Sequence, residues 1–144
     1  MLKLWVCVTL FGIIMLWHQV YCAMTEAQIK SAVKLARRSC QGKTKATNEQ
    51  IDGMHKGNWD IDHTTMCYLN CALAMYKLQR ADNTFNLEAS AAQLKQLPES
   101  LREASAKTTE SCKDSAKTLD DKCVAAYEIA KCLYDADPEK YFLP

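Results

Sequence analysis

Long apolar runs are scarce in this chain of 144 residues, glycine and proline number only four and three, and neither sign of charge is in excess. Each shortage excludes something. The one conspicuous apolar run, Leu4 to Trp17, is too short to span a bilayer with comfort, and nothing after it reaches spanning length. A formal net charge of +1 argues against nucleic acid or an anionic membrane as the principal partner. Alternating strand patterns and Gly/Ser or Pro linkers are missing, which disfavours sheets and multiple domains. Catalytic constellations are missing too. There is no Gly-rich calcium loop with a histidine beside paired cysteines, and no Ser/His/Asp elbow, so the chain does not read as an enzyme. Asp120-Asp121 reads as a helix cap. A Cys-x3-Cys pair near His63 could begin a zinc site, but the histidines show no paired-ligand spacing, and no metal or cofactor is assigned.

What is present begins with a targeting signal. Lys3 gives a short positive segment, the apolar run follows, and Val20-Tyr21-Cys22 places small residues at −3 and −1 of a cleavage after Cys22. Cleavage after Ala23 would put Tyr21 at −3. Residues 1–22 are therefore expected to be a removed signal peptide, and residues 23–144 one exported domain. Lys3 leaves with the signal, so the remaining Lys plus Arg equals Asp plus Glu at 17 each. Cys7 and Cys22 leave as well, and six cysteines remain: Cys40, Cys67, Cys71, Cys112, Cys123 and Cys132. An even number in a small exported chain implies a disulfide framework. No Asn-x-Ser/Thr sequon or retention signal appears, so the expected address is extracellular fluid.

Helix signals then follow one another. Thr25-x-x-Gln28 is a capping box ahead of an apolar face (Ile29, Ala32, Val33, Ala36) that ends near Arg37-Arg38. Thr47-x-x-Gln50 repeats the signature before Ile51 and Met54, with Gly53 and Gly57 stopping a short second helix. Asp62 can cap a third from His63 to about Arg80. After a polar turn at 81–84, Asn86 caps a fourth through about Leu94. Pro98 fits the first turn of a fifth helix reaching about Lys117. Asp120 or Asp121 opens a sixth, which runs to about Asp135 before Asp137-Pro138 breaks it. This predicts an all-α fold of six helices.

Helical phase constrains the cysteines. Cys67 and Cys71 lie one turn apart on one face, so they bridge to other elements rather than to each other. Cys123 and Cys132, nine apart, leave opposite sides of their helix. Bridges from the Cys40 region to the third helix, from the third to the sixth, and from the fifth to the sixth would tie the domain together. Spacing alone leaves fifteen pairings open.

The run Cys40-x26-Cys67-x3-Cys71-x40-Cys112-x10-Cys123-x8-Cys132 resembles the signature of six-cysteine insect odorant-binding proteins, including the pheromone-binding group. Cys67-Tyr68-Leu69-Asn70-Cys71, Leu97-Pro98 and the ending Ala136-Asp137-Pro138-Glu139-Lys140-Tyr141-Phe142-Leu143 add to the likeness. Those endings are similar to dipteran members whose tail closes the pocket. The resemblance implies Cys40–Cys71, Cys67–Cys123 and Cys112–Cys132. It also implies an extracellular carrier of small hydrophobic odorants or pheromones in sensillum lymph, delivering them to an olfactory receptor or membrane surface, as a monomer or weak homodimer. The same scaffold serving as a scavenger in another body fluid is the alternative; a membrane-active toxin would want a basic or exposed apolar helix.

The phases also predict inward faces around an apolar cavity. Leu101, Ser105 and Thr108 lie on the stripe leading to Cys112, flanked by Ala104. Ala126, Tyr127 and Ala130 follow Cys123 on the sixth helix. Leu69, Leu73 and Tyr76 form a row on the third, extended by Leu78; Phe85, Leu94 and Leu97 come from the turn and helix between. The small residues Ala104, Ser105, Thr108, Ala126 and Ala130 would leave space inside the disulfide frame, although core packing is the plain alternative. By resemblance, Leu73, Leu97, Leu101, Tyr127, Leu133, Phe142 and Leu143 match pocket positions, while Glu128 replaces a tryptophan of several members. Ser105, Thr108, Tyr68, Tyr76 or Tyr127 could donate one hydrogen bond, which suits a volatile with at most one polar group. The tail, residues 136–144, is expected to fold over the pocket. By resemblance, Arg37 and Tyr68 would meet the Pro144 carboxylate, whose protonation in acid would loosen the lid. His55 and His63 are further candidate sensors, with a plain surface role as the alternative.

Overall fold

The computed structural model describes residues 23–144; the signal-peptide segment and the cleavage after Cys22 lie outside the described residues. Six helices follow in order: α1 Glu26–Thr44, α2 Asn48–Met54, α3 His63–Met75, α4 Leu87–Leu94, α5 Glu99–Ser111 and α6 Lys122–Ala136. A 3-10 turn at Pro138–Lys140 precedes an extended end. Among the described residues the only β-type pairing is the isolated bridge Gln79–Phe85.

The helices start where local chemistry dictates. Thr25 accepts from the Gln28 amide (3.3 Å) and Gln28 Oε1 accepts from the Thr25 amide (2.8 Å), a reciprocal cap that satisfies two otherwise free donors. Thr47, Asp62, Asn86 and Asp121 cap α2, α3, α4 and α6 in the same sense. Pro98 is the N-cap of α5, one position before the first turn.

Three helix ends depart from the pattern-based expectation. α1 runs on to Thr44, carrying Cys40 within it, and stops where Lys45 takes φ 67°. α3 stops at Met75, not near Arg80: Lys77 takes φ 57°, and the Leu78 amide donates back to the Leu73 carbonyl at 2.8 Å. That is a Schellman-type closure with lysine in the place glycine usually occupies, so sequence gave no stop signal. α5 stops at Ser111 rather than Lys117. Beyond it Glu128 of α6 gathers the Lys117 and Thr118 amides (2.5 and 3.0 Å) and the Thr118 hydroxyl (2.7 Å). The Glu128 carboxylate thus shapes the α5–α6 loop.

α3 is the centre of the packing. Its most extensive neighbour is α6, followed by α1. Tyr68, Leu69 and Leu73 from α3 and Ala126, Ile129 and Ala130 from α6 are fully buried in one core with Ile51, Met54 and Phe85. The bridges are Cys40–Cys71 (α1 to α3), Cys67–Cys123 (α3 to α6) and Cys112–Cys132 (α5 end to α6), with Cα–Cα separations of 5.6, 4.4 and 5.8 Å. These are the implied pairs, and all three are cross-element. No helix among the described residues is long and apolar enough to cross a membrane.

Candidate ligand cavity

A cavity of about 130 Å³ lies between α1, α4, α5 and the C-terminal tail. α5 directs Ser105 and Thr108 into it because they sit three residues apart on the face leading to Cys112. The end of α3 and its closure supply Tyr76 and Leu78, the bridge supplies Phe85, and α4 with its exit supplies Leu94 and Leu97. Leu133 of α6 and Phe142 and Leu143 of the tail also line it.

Five predicted residues lie elsewhere. Leu69, Leu73 and Ala126 are 0% exposed and pack in the closed core, not on the cavity wall. The physical reason is the α3–α6 seam: Ala126 and Ala130 are buried in the core that the two helices share, and small side chains let two helices approach closely instead of leaving a void. Tyr127 turns to Trp59, with ring centroids 5.9 Å apart and its hydroxyl donating to the Trp59 carbonyl at 3.4 Å. Leu101 lies in a separate, more open groove of about 650 Å³ on the outer side of Leu97, bordered by Lys30, Lys34, Arg37 and His55.

Other lining residues were not anticipated. Met24, Ile29, Ala32 and Val33 bring the start of α1 to the cavity, and Ser90, Gln93, Gln96, Thr109, Asp137, Lys140 and Tyr141 complete it. The i, i+4 pair Ile29 and Val33 was visible as an apolar face. Its destination was not, because it is set by the Met24 amide donating to the Gln96 carbonyl at 2.8 Å, a contact seventy-two residues away in sequence. The Ser90 and Thr109 hydroxyls pair at 3.3 Å across α4 and α5.

The tail folds back against the domain, and its contacts are not the expected ion pair with Arg37. Leu143 is 4% exposed and Pro144 is buried. Arg37 is taken by Asp52 (2.6 Å) and Asn48 (2.9 Å), and the Pro144 carboxylate forms no ion pair among the described residues. Tyr68 is wholly buried with its hydroxyl unpartnered among the described residues, and burial pushes its pKa well up. Tyr141 holds the tail instead. Its ring meets His55, Trp59 and Tyr134 with centroids 5.3, 5.9 and 5.4 Å away, each near edge-to-face. Burial also raises the Tyr141 pKa, so the ring stays neutral. Burial lowers the His55 pKa, Arg37 lowers it further, and Asp52 opposes both. His63 lies far from the tail, against Asp121 at 2.9 Å.

The profile of the PBP/GOBP family matches residues 22–136. General odorant-binding protein 72 of Anopheles gambiae is 28% identical over 121 residues, covering 83% of this chain and 99% of that protein. General odorant-binding protein 19a of Drosophila melanogaster is 33% identical over 114 residues, covering 76% and 77%. The crystal structure of odorant binding protein 4 from Chrysopa pallens superposes with a TM-score of 0.79 at 44% identity, covering 84% of this chain and 99% of that one.

Proposed function

The chain belongs to the PBP/GOBP family, and from that premise we propose that it is a secreted carrier that holds a small hydrophobic odorant or pheromone in the α1–α4–α5 cavity and delivers it to chemosensory receptors. The observation that carries this reading is the cavity itself: its wall is mainly apolar, and the tail roofs it. Burial of ligand surface at about 25 cal/mol per Å² supplies the affinity. Ser105, Thr108 and Tyr76 stand on the wall to orient a single ligand oxygen. A void of roughly 150 Å³ with apolar walls accommodates benzene, so a space of this size suits one ring or a short chain.

Release is proposed to respond to acid through His55 rather than through the terminal carboxylate. The His55 ring sits against Tyr141, and its folded pKa is held below the ordinary 6.5. A lowered pKa means that the closed form favours neutral imidazole. The contribution is complete above about 6.5 and is lost as pH falls through the folded value. The test is displacement of a fluorescent apolar probe by neutral volatiles, repeated on a chain lacking Phe142–Pro144. Tight binding of neutral volatiles with a tail-dependent response to acid is expected. Preference for highly charged ligands would overturn the carrier reading, and an unchanged affinity and pH response without the tail would overturn the lid.

A further inference from the structure

The Cys67–Cys123 bridge differs from the other two in what surrounds it. His63, Cys67 and Cys123 bring a ring nitrogen and both sulfurs within 4.8 Å of one another, the one such grouping among the described residues. His63 Nδ1 is 3.7 Å from Cys67 Sγ, one helical turn along α3. The opposite ring nitrogen, Nε2, is 2.9 Å from Asp121 Oδ2. Asp121 is itself fixed, because its other oxygen accepts from the Cys123 and Val124 amides at 2.8 and 3.2 Å. The carboxylate therefore orients the imidazole, and the imidazole faces sulfur, an arrangement that selects one tautomer with Nδ1 free to take a proton. The His63 side chain is 61% exposed, so solutes reach it. Cys67 is half-buried, while Cys123 is 2% exposed at the second position of α6.

We infer that Cys67–Cys123 is a thiol–disulfide exchange site at which a small external thiol forms a mixed disulfide on Cys67, with His63 as the proton carrier. Neutral His63 Nδ1 takes the proton from the incoming thiol. The resulting thiolate attacks Cys67 Sγ, the sulfur of the less buried cysteine, and a new S–S bond forms there. The Cys67–Cys123 bond breaks, its electron pair leaves on Cys123 Sγ, and the imidazolium returns the proton to that sulfur. One thiol is consumed, and one mixed disulfide and one cysteine thiol are formed, with no outside oxidant or reductant. The α6 N-terminus favours the departing thiolate. Cys40–Cys71 and Cys112–Cys132 each also pair a buried with a half-buried cysteine, so burial of the cysteines does not set this bridge apart. The His63–Asp121 pair does.

The test treats the folded, fully oxidised protein with reduced glutathione, quenches with an alkylating reagent at timed intervals, and maps adducts by mass. Loss of Cys67–Cys123 before the other bridges, with glutathione on Cys67 and the alkyl label on Cys123, is expected. His63→Gln should slow that step at least about tenfold while leaving exchange at the other two bridges unchanged. Asp121→Asn keeps a capping side chain and should slow it less. Helical circular dichroism confirms that each variant is folded. First loss of another bridge, glutathione on Cys123, or equal rates in His63→Gln would overturn the inference. The carrier reading is untouched by any of these outcomes, since it is judged by probe displacement.

Discussion

Gly57 holds φ +87°, and a Cβ built there would stand 3.3 Å from the Tyr134 hydroxyl, part of the ring cluster that anchors the tail. Both the dihedral and the neighbour demand glycine. Gly57→Ala should lower stability by about 1–2 kcal/mol, read by thermal denaturation, and should also weaken probe retention because Tyr134 moves. At the same scale, His55→Phe keeps an aromatic edge against Tyr141 and removes the titration. Probe affinity measured from pH 7.5 down to 5 should fall in the wild type and stay flat in the variant; a fall in both would place the acid response elsewhere. Glu128 provides a contrast. Burial alone would raise its pKa, but the Thr118 and Lys117 amides outweigh burial and lower it. Its hold on the α5–α6 loop is thus present above the ordinary carboxylate range and lost only well into acid.

Helix starts were legible because capping is a four-residue affair: Thr25, Thr47, Asp62, Asn86 and Asp121 sit where the sequence put them. Helix ends were not. α1 and α3 close through lysines at positive φ, with backbone bonds from the Lys45 amide to the Gln41 carbonyl and from the Leu78 amide to the Leu73 carbonyl, and no residue preference announces such a stop. The disulfide framework was legible only as far as cross-element bridging; resemblance supplied the pairs. The small residues on α6 are visible in the sequence but their role is not, since an alanine looks alike whether it lines a void or admits a neighbouring helix. Ala126→Leu separates those roles. In the α3–α6 seam the added bulk should cost about 1–3 kcal/mol by chemical denaturation and leave ligand affinity within the folded fraction unchanged. Stability close to wild type with lost affinity would return Ala126 to the cavity wall.

For the molecule as a whole, the α4–α5 hairpin is held to α6 by Cys112–Cys132 and borders the cavity. Replacing both cysteines by alanine should cost about 2–4 kcal/mol by denaturation. It should weaken binding more than stability alone implies, because α5 supplies Ser105 and Thr108. Size is the second molecular constraint. With about 130 Å³ available, single-ring compounds should bind without disturbing the tail, whereas long-chain ones should quench or shift Tyr141 and Trp59 fluorescence as the roof lifts.

Tyr141, Phe142 and Leu143 form wall on both sides, facing the cavity and the outer groove at once. A partition shared in this way has a kinetic consequence. If a guest leaves through it, the slow step is the unpacking of Tyr141 from Trp59 and Tyr134, which is the same event whatever the guest. Guests of different affinity would then share one dissociation half-life and differ in how fast they load, the reverse of ordinary tuning through off-rates. Stopped-flow chase of two probes of unequal affinity would reveal a common exit rate, and divergent rates would mean that the guests take another way out.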